Sequence, residues 1–139
     1  MIFKKYSPIG ELLGFATQYA ETLYKTGNHP VVVCDRDIIV AYAGVSKKEC
    51  HEKKVASDVE TIMESRQMYC RKNDGKNFYV VDGNEKIVVS CAVPILSGGD
   101  VIGAVVSTQN AEDNLFEPDD TEIKLMQTAA TFLGKQMEE

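Results

Sequence analysis

The strongest constraint on the fold is a pair of long strand-forming segments joined by a glycine turn. Segments 86–96 and 101–109 are rich in β-branched and other apolar residues, and Ser97-Gly98-Gly99-Asp100 lies between them. Glycine accepts the positive φ angles that tight hairpin turns require. The sequence therefore predicts an antiparallel hairpin, and the length of its first segment indicates a central strand.

Four further segments predict shorter strands. Segments 29–34 and 38–43 contain many β-branched residues, and Asp35-Arg36-Asp37 between them favours a tight turn. Segments 67–71 and 77–81 alternate with period two and are followed by the turn sequences Asn73-Asp74-Gly75 and Asp82-Gly83-Asn84. Hairpin connections of this kind imply antiparallel pairing.

Helices are predicted at both ends of the chain and between the two groups of strands. Ser7-Pro8 suits a helix start, and an apolar stripe follows at spacings of three and four residues until Gly27-Asn28. Ser46 and Ser57 are predicted to cap two short helices. The last helix is expected from Pro118-Asp119 to about Gln136, with apolar residues on two flanks. Because one sheet face cannot cover both flanks, we expect a helical partner.

The composition excludes several classes of protein. The chain has 139 residues, of which 44% are hydrophobic and 26% charged, so a single ordinary core is expected. Its net charge of −6 opposes a phosphate backbone and argues against nucleic-acid binding by this chain alone. No apolar segment approaches the roughly 18 residues of a membrane span, and no signal peptide is recognisable. We expect a soluble, cytoplasmic protein without a membrane partner.

Cysteines and histidines are too sparse for a metal or hydrolase site. Cys34, Cys50, Cys70 and Cys91 include no C-x-x-C pair, so free thiols are expected. The chain has only two histidines and no glycine-rich phosphate loop. The sequence predicts neither a metal nor a cofactor, and it predicts that the chain is not an enzyme.

The central hairpin and the chain ends resemble known regulatory domains. The sequence Val93-Pro94-Ile95, followed by Gly98-Gly99-Asp100 and Val101-Ile102-Gly103-Ala104-Val105, resembles the hairpin of GAF domains. Within it, Gly103 is expected to permit close approach of helix and sheet. Four other segments resemble the C-terminal part of the stage V sporulation protein T family: Lys4-Lys5-Tyr6-Ser7-Pro8-Ile9, Cys34-Asp35-Arg36-Asp37, Ser46-Lys47-Lys48 and Gln136-Met137-Glu138. The resemblance is weakest over residues 49–85.

The resemblance implies an α+β, GAF-like fold. It implies a central six-stranded antiparallel sheet, N- and C-terminal helices packed together, often across a dimer interface, and short helices over the other face. Members of the family carry an N-terminal DNA-binding domain and regulate transcription during sporulation. Residues 1–139 are therefore expected to form one domain that begins just inside the linker, with DNA contact left to that N-terminal domain.

We expect a small-molecule effector to bind between the sheet and segment 44–71, where short helices could close over it. Ligand pockets are mostly apolar with a few placed polar groups. The candidate polar contacts are Tyr42, Ser46, Arg66 and Tyr79, and the candidate wall residues are Cys34 and Cys91. Each has a simpler interpretation: the tyrosines as strand aromatics, Arg66 as a helix end and Ser46 as an N-cap.

Three functions remain open from the sequence. The first is effector sensing, in which the terminal helices of a homodimer or tetramer transmit the ligand state to the DNA-binding domain. The second is pure oligomerisation with a vestigial pocket. The third is cysteine-dependent reduction of free methionine sulfoxide, an activity of some GAF domains, which would need a thiol with a lowered pKa.

Overall fold

Segments rich in β-branched residues form most of the strands of this chain. The computed structural model describes residues 13–138, so the predicted helix start at Ser7-Pro8 lies outside the described residues. Residues 13–138 contain four helices: α1 (Leu13–Gly27), α2 (Lys47–Cys50), α3 (Ser57–Ser65) and α4 (Asp120–Met137). The same part of the chain contains five strands: β1 (Val31–Cys34), β2 (Ile39–Ala43), β3 (Tyr69–Cys70), β4 (Ile87–Ser97) and β5 (Asp100–Asn110).

The strands form one antiparallel sheet in the order β2-β1-β5-β4-β3. The predicted hairpin of β4 and β5 is confirmed, and the turn places Gly98 and Gly99 at φ angles of 56° and 87°. β4 has neighbours on both sides, as expected of a central strand. Its pairing with β5 shifts between Val89 and Cys91, so Ser90 is the extra residue of a β-bulge.

The expected sixth strand is absent from the described residues. Segment 77–81 makes only isolated bridges, from Tyr79 to Val88 and from Val81 to Val55. The Tyr79 backbone nitrogen donates to a carboxylate oxygen of Asp58 at 2.9 Å. The backbone groups of this segment are thus divided between β4 and the region around α3. A continuous ladder cannot form, and the sheet has five strands within the described part of the chain.

Alternate side chains of each strand enter two separate cores. Val31, Val33 and Ile95 face α1 and α4, whereas Val32 and Val89 face α3. The predicted packing of the terminal helices against each other is confirmed. The centroid of the Phe132 ring on α4 lies 5.0 Å from the ring centroid of Tyr19 and 6.1 Å from that of Phe15, both on α1.

The short helices cover the opposite face, as expected, but their caps differ from the prediction. Ala56, not Ser57, occupies the N-cap position of α3, and Ser46 precedes α2 without a side-chain cap hydrogen bond. The predicted start of α4 is confirmed, because the helix begins at Asp120; at its N-cap the Asp119 carboxylate accepts from the Glu122 backbone nitrogen at 2.8 Å. None of the helices within residues 13–138 has the length and apolar character to span a bilayer.

Helix and sheet approach each other closely at Gly134 of α4, and the expectation that Gly103 permits such an approach was wrong. A Cβ at Gly134 would overlap the carbonyl oxygen of Leu96 on β4. A Cβ at Gly103 would instead overlap the carbonyl oxygen of Cys34, so Gly103 permits close contact between strand backbones. Each glycine is thus required by a backbone neighbour from another element.

Candidate functional site

A groove of about 400 Å³ opens where β1 begins, β5 ends and β4 begins. Its size is within the range of small-molecule sites. One wall is the start of segment 44–71, which was predicted to border a ligand. The lining is Pro30, Gly44, Val45, Ser46, Glu49, Lys86, Ile87, Thr108, Gln109, Asn110 and Glu112.

The sequence-predicted polar residues are separated by the structure. Ser46 lines the groove, whereas the Tyr42 hydroxyl lies 3.1 Å from Nδ1 of His51. Arg66 adopts a left-handed conformation at the end of α3, and its guanidinium donates to the Gly99 carbonyl. Tyr79 is half-buried beside α3. Of the four, only Ser46 is found at the groove.

The two predicted wall cysteines do not share a cavity. Cys34 lies in the core beneath the short helices, and Cys91 lies in the core beneath the terminal helices. Both are fully buried. Beneath α3 the space against the sheet is filled by apolar side chains such as Val59 and Ile62. The groove is therefore at the border of segment 44–71 and not under its centre.

A buried polar cluster, which the sequence analysis missed, lies at the first turn of α4. Glu122 is only 2% exposed, and its Oε2 accepts from Ser90 Oγ at 2.5 Å and from Ser107 Oγ at 2.7 Å. His29 Nδ1 lies 3.7 Å from the other carboxylate oxygen. The positive end of the α4 dipole favours a carboxylate at this position. Among the described residues, no buried polar side-chain atom lacks a hydrogen-bond partner.

Gln109 connects this cluster to the groove. Its Nε2 donates to Ser90 Oγ at 2.8 Å and to the Phe116 carbonyl oxygen at 2.8 Å. Its Oε1 accepts from the Phe116 backbone nitrogen at 3.0 Å. Gln109 therefore lines the groove, and its carboxamide joins the loop before α4 to the partner of Glu122. The sequence signal for this arrangement was the presence of polar residues, among them Ser90, Ser107 and Gln109, in mostly apolar strands.

A buried arginine joins a further loop to the same region. Arg71 is 6% exposed, and its Nη1 donates to Asn73 Oδ1 at 2.6 Å and to the Phe116 carbonyl oxygen at 3.1 Å. The Glu117 carboxylate accepts from the Asn73 backbone nitrogen at 2.9 Å. The loops that follow β3 and β5 are thereby held together, and both meet at Phe116.

Burial disfavours the thiolate form of three cysteines, Cys34, Cys50 and Cys91. Burial raises the pKa of Cys34 from 9.0 to about 12 and that of Cys50 to about 11. Burial, and then proximity to Cys70, also raises the pKa of Cys91. A reactive cysteine needs the opposite shift. Within residues 13–138, no three side chains of His, Cys, Asp or Glu converge on a metal-sized site.

Sequence comparison shows that the chain is similar to a sporulation regulator. A family model for "Stage V sporulation protein T C-terminal, transcription factor" matches residues 11–138. Stage V sporulation protein T of Bacillus subtilis (strain 168) is 40% identical over 144 residues, which cover 100% of this chain and 76% of that protein.

Structural comparison identifies the fold. The GAF domain of A. aeolicus nlh2 in an inactive state has a TM-score of 0.64 at 14% identity, covering 98% of this chain and 89% of that chain. A methyl-accepting chemotaxis protein fragment has a TM-score of 0.62 at 15% identity, covering 91% and 93%. The cofactor-binding GAF domain of the nutrient sensor CodY from Clostridium difficile has 0.56 at 14%, covering 93% and 92%. These likenesses establish the GAF fold for this chain.

Proposed function

The chain belongs to the family of the stage V sporulation protein T C-terminal domain, and on that premise we propose that it senses a small effector. As a regulatory GAF domain of a sporulation transcription factor, it would pass the effector state to an N-terminal DNA-binding domain in the cytoplasm. The observation that supports sensing is the position of Gln109. Gln109 is one of the residues that line the groove, and its side chain is hydrogen-bonded to the cluster that holds the first turn of α4.

The effector in this proposal acts by competing for the Gln109 carboxamide. A ligand that hydrogen-bonds this group draws it from Ser90 and from the backbone of Phe116. Because Ser90 also donates to Glu122, such a ligand has different affinities for two arrangements of α4. Differential affinity of this kind is the physical requirement for a ligand-driven population shift.

The proposed effector is a small polar metabolite. The groove presents Lys86 to an anionic group, and Glu49 and Glu112 to a cationic one. Ser46 and Thr108 add hydroxyl groups, while Val45 supplies apolar surface. This combination suits an amino acid or another zwitterion better than a purely apolar compound.

Thermal-shift screening tests the sensing proposal. Amino acids and ribonucleotides are added singly at about 1 mM, and a ligand present at about 100 times its Kd stabilises the fold by about 2.7 kcal/mol. Gln109→Leu should lose most of this response. Gln127→Ala, which changes a glutamine on α4 in a different groove, should retain it. If neither amino acids nor ribonucleotides shift the melting temperature, the oligomerisation-only function is favoured instead.

Hydrogen exchange tests the route of the signal. With an effector bound, exchange of the backbone amides at the start of α4 should change in the wild-type chain. Gln127→Ala should behave as the wild type does. An effector that binds with no change in α4 would refute the proposed route while leaving binding itself intact.

We further propose that the terminal helices pair two copies of the chain. Leu13 and Phe15 on α1 are each 47% exposed, and Phe15 adjoins the half-buried Phe132 of α4. Exposed apolar clusters of this kind mark interaction surfaces. Light scattering after size exclusion should report a dimer, and Phe15→Ser should shift it toward monomer. Met68→Ser, which changes a 40% exposed residue next to β3, should leave the dimer intact. A monomeric wild-type chain would refute this part.

A further inference from the structure

Two of the four cysteines face each other across neighbouring strands. Cys70 on β3 and Cys91 on β4 are register partners, and their Sγ atoms lie 3.9 Å apart. The next backbone nitrogen, that of Arg71, donates to the Ser90 carbonyl oxygen at 2.8 Å. Cys70 and Cys91 are therefore the adjacent non-hydrogen-bonded pair, in which side chains approach most closely.

This geometry is compatible with a covalent bond. Cα atoms in a non-hydrogen-bonded antiparallel pair are about 4.5 Å apart, within the range that disulfides span. The sulfur atoms must approach by about 1.9 Å to reach the S–S bond length of about 2.05 Å. β3 has only two residues and is the edge strand of the sheet, so its displacement disturbs little pairing.

The two thiols differ in access. Cys91 is 0% exposed, whereas Cys70 is half-buried at the sheet edge. A small oxidant can therefore reach Cys70 first, and Cys91 is placed to attack the product. Cys34 and Cys50 are buried in the other core, on the opposite face of the sheet from this pair.

We propose that Cys70 and Cys91 form a reversible intramolecular disulfide when the protein meets a peroxide. The Cys70 thiol loses its proton, its sulfur attacks one oxygen of hydrogen peroxide, and the O–O bond breaks; the departing hydroxide takes up that proton, so Cys70 sulfenic acid and one water result. The Cys91 thiol then attacks the sulfenic sulfur, the S–O bond breaks, and the departing hydroxide takes the Cys91 proton to give the second water. In sum, two thiols and one peroxide give one disulfide and two waters. A dithiol reductant reverses the reaction by exchange.

The disulfide is connected to the α4 cluster through backbone contacts. The Cys91 backbone nitrogen donates to Ser107 Oγ at 3.1 Å, and Ser107 donates to Glu122. The bond also closes a loop over residues 71–90, which includes the Arg71 contact to Phe116. Oxidation thus acts on the same helix start that the proposed effector acts on, through different residues.

Peptide mapping of the 139-residue chain tests the inference. The chain is treated with hydrogen peroxide, free thiols are blocked with an alkylating agent, and trypsin is applied without reductant. Cleavage at the surrounding lysines and arginines places each cysteine in a separate peptide, with Cys70 in 67–71 and Cys91 in 87–124. The expected product is a linked pair of these two peptides that is lost on adding dithiothreitol.

Two variants complete the test. Cys70→Ala should abolish the linked pair, and Cys50→Ala, a buried cysteine in the other core, should retain it. The linked peptides are sought first in the wild-type protein, so that result does not depend on whether either variant folds. Sulfinic acid accumulating at Cys70 without a linked peptide would overturn the inference. A link only between chains, or one involving Cys34 or Cys50, would overturn it as well.

Discussion

Two helical glycines are expected to respond to alanine with opposite signs. Gly134 lies in α4, where an added Cβ would overlap the Leu96 carbonyl oxygen and lie 3.2 Å from its carbonyl carbon. Gly14 lies in α1, where an added Cβ meets no atom within 4 Å. Both gain helix propensity of up to about 1 kcal/mol on substitution by alanine. They differ only in what the new methyl group encounters.

The magnitude at Gly134 follows from the nature of its neighbour. Overpacking costs about 1–3 kcal/mol, and the upper value applies because the obstacle is backbone within a paired strand and not a flexible side chain. Subtracting the propensity gain leaves a loss of about 2 kcal/mol. For a chain of 139 residues the entropy of unfolding is about 0.3 kcal/mol/K, so each kcal/mol is worth about 3 °C. Gly134→Ala should lower Tm by about 7 °C.

Urea unfolding and thermal melting of both variants provide the assay. Gly14→Ala should raise the free energy of unfolding by about 0.5–1 kcal/mol and Tm by about 2–3 °C. An unchanged urea m-value would show that the denatured state is the same in each variant. The close approach of α4 to β4 would be refuted if Gly134→Ala proved as stable as the wild type, or stabilised the fold to the same extent as Gly14→Ala.

Three further changes test the cluster, the caps and the core by urea unfolding. Glu122→Leu should lower the free energy of unfolding by about 3–5 kcal/mol because it removes the carboxylate that two buried hydroxyl groups donate to. Asp120→Asn, at an exposed position in the same turn, should lower it by under about 1 kcal/mol. Equal losses would contradict the buried role of Glu122. Asp119→Ala should lower the free energy of unfolding by about 1 kcal/mol and Ser46→Ala by under about 0.5 kcal/mol, since of these two N-cap residues only Asp119 makes a cap hydrogen bond. A larger loss at Ser46 would show that its side chain caps α2. Burial raises the pKa of Cys34 from 9.0 to about 12, so above about pH 9 the unfolded chain releases a proton that the folded chain keeps. The free energy of unfolding of the wild type should then fall relative to that of Cys34→Ala by up to about 1.4 kcal/mol per pH unit. A pH-independent difference between the two proteins would exclude that shift.

The candidate site was predictable only in part. Segment 44–71 was expected to border a ligand, and its first residues do line the groove. Tyr42, Arg66 and Tyr79 were expected there as polar residues of that segment or of neighbouring strands, but all three lie away from the groove, and Arg66 instead donates to the Gly99 carbonyl oxygen. Segment spacing cannot decide which partner a side chain takes, because that depends on which loops meet at the end of the sheet. The importance of Glu122 was hidden for the same reason, since acidic residues are common in a first helical turn.

Local sequence patterns were enough to predict the β4–β5 hairpin, the start of α4 near Asp119, the apolar faces of both terminal helices and the element order apart from segment 77–81. These features depend on local periodicity and on residue types with strong conformational preferences. The packed tertiary structure, in contrast, makes segment 77–81 divide its hydrogen bonds instead of forming a strand. It also decided that Gly134 and not Gly103 admits the helix, and that Cys70 faces Cys91. Each of these outcomes depends on contacts between residues distant in the chain, and such contacts are set by the register and spacing of the packed layers.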